Sequence, residues 1–262
     1  MIRVLTLSTL FPDSSRPGFG GFVERQTLAL AAHAGVECRV VAPLGLPAAG
    51  WARRQRRYHE LDMLPRWETW KGLDVYRPRF ATLPVVGGPV HPLSLWWALL
   101  SLLDAIRAEF PFDVIDTEFF YPDGPAAVAL GRRYGVPVSI KARGSDIHLW
   151  GRKRLCRAMI VAAGRSADGM LAVSGALRDD MVALGLPADR IRVHPTGLDR
   201  SVFHPRDRVA AKAGLGVAGP LVVSIGNLIA LKGHALVVEA MGALPGVSLL
   251  IAGEGPERIA LE

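Results

Sequence analysis

Short β-branched runs alternate with amphipathic stretches from the first residues of this chain, and that alternation fixes its fold class. Ile2–Thr9, Cys38–Pro43, Phe112–Glu118, Pro137–Ala142, Gly169–Val173 and Ile191–His194 have the length and composition of buried strands. Between them, Phe22–His33, Leu93–Phe110, Gly124–Tyr134, residues 151–165 and a segment opened by the capping residue Ser174 have helical spacing. Residues 44–72 break the rhythm, and Leu73–Phe80 returns to an extended pattern. Repeated strand–helix–strand order predicts an α/β chain, a doubly wound parallel sheet with helices on both faces.

The same architecture restarts near the end. Leu221–Ile225 reads as a strand, Leu236, Val237, Ala240 and Leu244 as the apolar positions of a helix, and Val247–Ala252 as a second strand. Residues 198–212 carry charge and a proline but no strand pattern, so the boundary is placed there. The expected layout is a first domain over 1–200, a linker over 201–212 and the start of a second domain over 213–262. Two parallel strands and one helix cannot cover both faces of a sheet, so the second domain is expected to be incomplete and the chain truncated.

A net charge of +7 favours an anionic partner without choosing among nucleotide, acidic lipid and nucleic acid. No nucleic-acid motif or basic–aromatic face is present, and nucleic acid is set aside. Arg53, Arg54, Arg56 and Arg57, flanked by Trp51 and Tyr58, suit the inner surface of a membrane, or simply a solvated loop. The apolar run Leu93–Leu103 is shorter than the roughly 20 residues a span needs, and residues 1–9 read as a strand, not as a signal peptide. The expectation is a cytoplasmic protein, at most peripheral on the membrane. Cys38 and Cys156 have no metal-ligand spacing and read as reduced thiols.

Three places can carry chemistry. Gly18-Phe-Gly-Gly21 joins the first strand to the first helix, where bare N–H groups and a helix start suit an anion; a ligand-free turn fits the same residues. It is no dinucleotide fingerprint, because Val23 stands where the third glycine belongs and Pro43 where a ribose-holding acid belongs. Arg143, Asp146 and His148 cluster after a strand, at the edge where open α/β sheets bind ligands, and form the candidate catalytic group; His148 also fits as a satisfied histidine. Lys232 near a helix start suits a diphosphate and equally an ordinary surface lysine, and Gly253-Glu254-Gly255 forms another strand-to-helix turn. No metal site, Ser–His–Asp order or Gly-x-Ser-x-Gly elbow is found.

Taken in order, Gly-Phe-Gly-Gly-Phe-Val-Glu-Arg-Gln, Tyr121-Pro-Asp-Gly124, Ala142-Arg-Gly-Ser-Asp-Ile147, Val173-Ser-Gly-Ala-Leu177, His194-Pro-Thr-Gly-Leu-Asp199, Gly226…Lys232-Gly233 and Gly253-Glu-Gly-Pro256 resemble the family 4 glycosyltransferases, especially the branch that builds teichuronic acid and other surface polysaccharides. The resemblance runs the whole length. It implies the GT-B fold, two Rossmann-like domains facing a cleft. It also implies retaining transfer from a nucleotide-sugar donor to a glycan or lipid-linked acceptor, with no metal or other cofactor. By the same resemblance Gly20, Gly21, Lys232 and Asn227 lie near the donor diphosphate. Arg143, Asp146 and His148 lie at the reacting centre, and Glu118, Gly144, Ser145, Gly253 and Glu254 against the donor or acceptor sugar. A metal-free site needs such a fixed cation to offset the charge growing on the leaving diphosphate.

The chain departs from the pattern in three ways. Asn227 replaces an arginine that many members pair with the lysine. Thr196-Gly197 replaces Asn-Gly. The Glu-x7-Glu motif falls beyond residue 262, so weak or no turnover is expected of this chain alone. Two other readings of the scaffold are a non-catalytic binding protein and a sugar-nucleotide epimerase.

Overall fold

The computed structural model describes residues 1–48, 50, 55–83 and 88–262. Contacts divide the chain into two compact units, Met1–Leu198 and Asp199–Glu262. The first unit runs β1 (Ile2–Leu7), α1 (Gly21–Ala31), β2 (Val36–Val41), β3 (Leu44–Pro47), α2 (Arg56–Asp62), β4 (Trp67–Trp70), β5 (Leu73–Tyr76) and β6 (Arg79–Thr82). It continues through α3 (His91–Glu109), β7 (Val114–Thr117), α4 (Asp123–Tyr134), β8 (Val138–Ala142), a π-helical turn (Asp146–Trp150), α5 (Arg154–Ser166), β9 (Gly169–Ala172), α6 (Gly175–Leu184) and β10 (Ile191–Val193).

Eight strands form one sheet in the order β10-β9-β8-β7-β1-β2-β5-β4, parallel except for the β4–β5 hairpin. The winding reverses at β1, which pairs with β2 on one side and β7 on the other. That reversal opens a crevice at the strand C-termini, the usual ligand position in such sheets. Alternation along β1 sends Val4 to one face and Leu5 and Leu7 to the other, and each face builds its own core. Val4, Val23, Val40 and Val75 pack on the α1 side. Opposite, α3 lays Leu95, Leu99, Leu103 and Ile106 against Leu5, Leu7 and Ile115. Each such side chain, fully buried, contributes about 1.5–3 kcal/mol. With the turn before it, α3 is long and apolar enough to cross a membrane; here its leucine stripe is spent on the sheet. Both cysteines are buried, and burial pushes the Cys38 thiol up to about 11.

Three sequence expectations are corrected. Residues 44–72 are not irregular throughout: they hold β3, α2 and β4. Four-residue strands are too short to register as periodicity, and β4 is an edge strand with Trp67 facing solvent. The charged stretch 198–212 includes most of a helix, α7 (Arg208–Gly214), capped by Asp207, whose carboxylate accepts from the Ala210 N–H at 2.7 Å. In the second unit the helix α8 (His234–Met241) ends before Leu244.

Parallel strands β11 (Leu221–Ile225) and β12 (Ser248–Ala252) flank α8, and a short α9 (Arg258–Leu261) follows. This two-stranded sheet leaves Ile225 and Leu236 largely exposed.

Asp123, at the start of α4, ties that helix to the end of β1: its carboxylate accepts from the Thr9 N–H at 2.7 Å and the Thr9 hydroxyl at 3.1 Å. Burial pushes its pKa up to about 7. The folded state therefore holds a proton that the unfolded chain releases near pH 4, so stability is lost as pH rises through about 7. Denaturant melts at pH 5 and pH 8 are expected to show wild type losing a few kcal/mol between them and Asp123→Asn losing distinctly less. Equal losses in the two proteins refute the buried acid.

Candidate active site

The site grows from two neighbouring strands. β7 and β8 pair with Asp116 opposite Ser139 and Thr117 opposite Ile140. Period-two alternation then sets Asp116, Glu118, Ser139, Lys141 and Arg143 on one face, the face toward Gln26 of α1. Glu118 accepts hydrogen bonds from Gln26 Nε2 and from the Arg143 guanidinium, and the ion-paired side chains are 1% and 4% exposed. Lys141, fully buried, donates to Gln26 Oε1 and lies 2.7 Å from His194 Nδ1. Arg143 also donates to Thr196 Oγ1 at 3.2 Å and stacks over Phe22 at 4.9 Å.

Buried charges persist only when partnered, and here each has an opposite neighbour. The environment still perturbs them. Burial, then the Glu118 charge, lifts Asp116 to about 7. Burial brings Lys141 down to about 8 against the pull of Glu118 and Asp116. Burial and the Lys141 charge lower His194. Perturbed titrating groups at a sheet's C-terminal edge make this cluster the candidate functional site.

Of the predicted catalytic trio, only Arg143 joins this cluster. Asp146 does not fit a substrate-contacting role. It is fully buried, and its carboxylate accepts from the backbone N–H groups of Phe120 (2.8 Å), Arg143 (3.1 Å), Gly144 (2.7 Å) and Ile147 (3.1 Å). It clamps the loop after β7 to the loop after β8. His148 is also displaced: the π-helical turn carries it to an exposed pair with Asp180 on α6 at 2.9 Å, and it makes no described contact with the Arg143 cluster. Glu118 sits in the cluster, Gly144 occupies positive φ at 119°, and Ser145 is exposed ahead of the turn.

Gly20 takes the left-handed conformation (φ 69°) as the cap of α1, and a Cβ there would fall 2.5 Å from the Leu10 carbonyl oxygen. Only glycine lets the loop approach so closely. Gly21 faces open space.

Within the second unit, the residues predicted to meet phosphate gather at the C-terminal ends of β11 and β12. Gly226 N–H donates to the Ala252 carbonyl at 3.0 Å and Leu228 N–H to the Glu254 carbonyl at 2.8 Å. A Cβ on Gly253 would overlap the Gly226 carbonyl oxygen. Lys232 follows in a 3-10 turn, its stem folded toward Gly226 and its exposed ammonium without an ion pair among the described residues. Asn227 and Glu254 are exposed. Of the basic cluster, Arg53 and Arg54 lie outside the described residues; Arg56 pairs with Glu60 at 2.8 Å, and Arg57 stacks on Tyr58.

Sequence reasoning missed Asp116, Gln26, Lys141, His194 and Thr196. A signal existed for the strand residues: Asp116 and Glu118, and Ser139, Lys141 and Arg143, are polar at every second position of otherwise apolar runs. Gln26 and His194 stand in motifs that carry the family resemblance, but they come from distant elements and nothing local shows that they meet.

The comparisons with known proteins agree with this architecture. The model of glycosyltransferase family 4 matches residues 19–202, well over half of the chain. The chain is 28% identical over 268 aligned residues to the teichuronic acid biosynthesis glycosyltransferase TuaC of Bacillus subtilis, covering 99% of this chain and 67% of that protein. It is 30% identical over 189 residues to an alpha-maltose-1-phosphate synthase of Mycolicibacterium smegmatis, covering 66% and 48%. Among solved structures it superposes on a sucrose-phosphate synthase from Thermosynechococcus elongatus with a TM-score of 0.68 at 17% identity, covering 98% of this chain and 64% of that one. Anabaena HepE in complex with UDP gives 0.62 at 18% identity, covering 97% and 61%. The chain thus spans about half to two thirds of the length of these proteins. Its sheet order, its ordered motifs and the match over residues 19–202 place the chain in glycosyltransferase family 4.

Proposed function

We propose that this chain carries the first unit and part of the donor site of a glycosyltransferase acting in glycan or surface-polysaccharide synthesis, with a nucleotide-sugar as donor. The observation that carries the reading is Lys232: an exposed lysine without an ion pair among the described residues, its stem folded toward the Gly226 turn at the ends of two parallel strands. A point charge there suits a diphosphate. HepE, solved in complex with UDP and with UDP-glucose, supports the donor class by family likeness.

In this reading the bond from the sugar's anomeric carbon to the diphosphate oxygen breaks, and a bond to an acceptor hydroxyl oxygen forms. The hydroxyl proton passes to the departing diphosphate, on the same face, with retention. Lys232 offsets the charge growing on that leaving group, as fixed cations do in water-poor sites. No step needs a metal.

Calorimetric titration with UDP and with GDP tests this. One nucleotide is expected to bind the wild-type chain, and Lys232→Ala is expected to weaken it about 10- to 100-fold, the size of a charge-assisted contact of about 1.5–3 kcal/mol. Failure of both nucleotides to bind, or unchanged affinity in the variant, overturns the assignment of Lys232.

A further inference from the structure

The contact between Lys141 and His194 decides the chemistry of a ring that faces solvent. His194 follows β10, and its backbone N–H donates to the Ala172 carbonyl at 2.8 Å, which fixes where the side chain leaves the chain. The residue is exposed, yet its Nδ1 points inward to the fully buried Lys141 ammonium at 2.7 Å. Nε2 has no partner among the described residues. An ammonium carries hydrogens and no lone pair, so it can only donate. Nδ1 must then supply the lone pair, and the proton of the neutral ring must sit on Nε2.

We propose that Lys141 is a positioning residue that locks His194 in its Nε2–H tautomer, so that His194 presents a fixed hydrogen-bond donor to an oxygen of the sugar substrate and cannot act as a general base. The ligand in this statement rests on the glycosyltransferase reading; the lock does not. The ring's one lone pair is occupied, and adding a second proton would bring it against the Lys141 charge. The other groups facing this pair are Asp116 and Glu118 from β7, Arg143 from β8, Gln26 from α1 and Thr196 downstream. Thr196 already accepts from Arg143, which leaves its hydroxyl hydrogen free to donate. The rim next to His194 therefore offers donors, which suits an oxygen rich in lone pairs: a sugar hydroxyl oxygen or a carboxylate.

The test reads the tautomer directly. Two-bond proton–nitrogen correlation spectra of the full chain, labelled with 15N-histidine, resolve each ring's protonation; His194→Gln identifies its signals among the 7 histidines. Because burial and the Lys141 charge lower His194, the neutral Nε2–H form is expected at pH 7–7.5, giving way to mixed tautomers above about 8 as Lys141 loses its proton. Lys141→Met should mix the tautomers at neutral pH. Lys141→Arg, whose guanidinium can only donate, should restore the lock, whereas Lys141→Gln, whose amide can also accept, should not, a distinction that a purely structural lysine would not make. If Lys141→Met does not fold, the wild-type pH series still decides. An Nδ1–H tautomer or an imidazolium in wild type at pH 7, or a lock that survives both high pH and Lys141→Met, overturns the proposal. These spectra need no substrate, so they stand even if the glycosyltransferase reading fails. In a chain that shows transfer, His194→Ala should lose about 10- to 100-fold in kcat/KM and His194→Gln, which keeps a donor, should lose less; equal losses overturn the donor role.

Discussion

Arg143→Met is expected to destabilise the first unit by about 3–5 kcal/mol, because it leaves the Glu118 carboxylate buried without its cation. The mechanism is desolvation without compensation: both side chains are almost fully buried, the Gln26 amide carries no charge, and the other nearby cation, Lys141, makes its described hydrogen bonds to Gln26 and His194 and not to Glu118. The double variant Glu118→Gln, Arg143→Met removes both charges and should regain most of the lost stability. It should not regain nucleotide-sugar turnover in a chain that has it, because the guanidinium that reaches toward Thr196 is gone. Urea melts of the wild type, the single variant and the double variant measure the coupling. A single variant within about 1 kcal/mol of wild type would show that the pair is solvated.

Asp146→Ala carries the second large effect. Four backbone N–H groups from two loops lose their shared acceptor; Ile147 N–H keeps the Gly144 carbonyl at 3.0 Å, and each of the other three, left as a buried orphan, costs about 1–3 kcal/mol before the loops relax. A net loss of about 3 kcal/mol is expected. Asp146→Asn separates clamp from catalyst. An asparagine keeps one acceptor oxygen and turns an NH2 toward groups that are themselves donors, so stability should fall by about 2 kcal/mol. A catalytic carboxylate would instead lose turnover with its melting curve unmoved, and that outcome would restore Asp146 to the reacting centre.

These two residues show what the sequence made legible. Arg143 and Asp146 were both visible as polar groups at a strand end. Their roles diverge because Asp146 points inward to backbone amides, and no local pattern announces which way a loop carboxylate turns. His148 was misplaced for a related reason: the π-helical turn over Asp146–Trp150 rotates it away from the strand end, and a five-residue turn has no periodicity to read. The long elements were legible because burying one stripe or one face forces a period on the sequence. α3 shows it at Leu95, Leu99 and Leu103, and β8 at Ser139, Lys141 and Arg143, had the polar alternation been followed into the strand. The β3–α2–β4 stretch was hidden by strands of four residues. Gln26 and His194 meet Lys141 only because α1 and the end of β10 converge, a tertiary fact.

The burial of both cysteines has a practical consequence. At neutral pH it is thiolate that attacks a thiol-directed reagent, and a Cys38 thiol held up to about 11 supplies almost none, while Cys156 lies beneath the surface. A single cysteine placed at Leu231, 86% exposed and next to Lys232, would therefore be labelled selectively in the otherwise native chain. A fluorophore attached there would test the proposed nucleotide site at the Gly226 turn: a change in emission on adding UDP or GDP is the expected result.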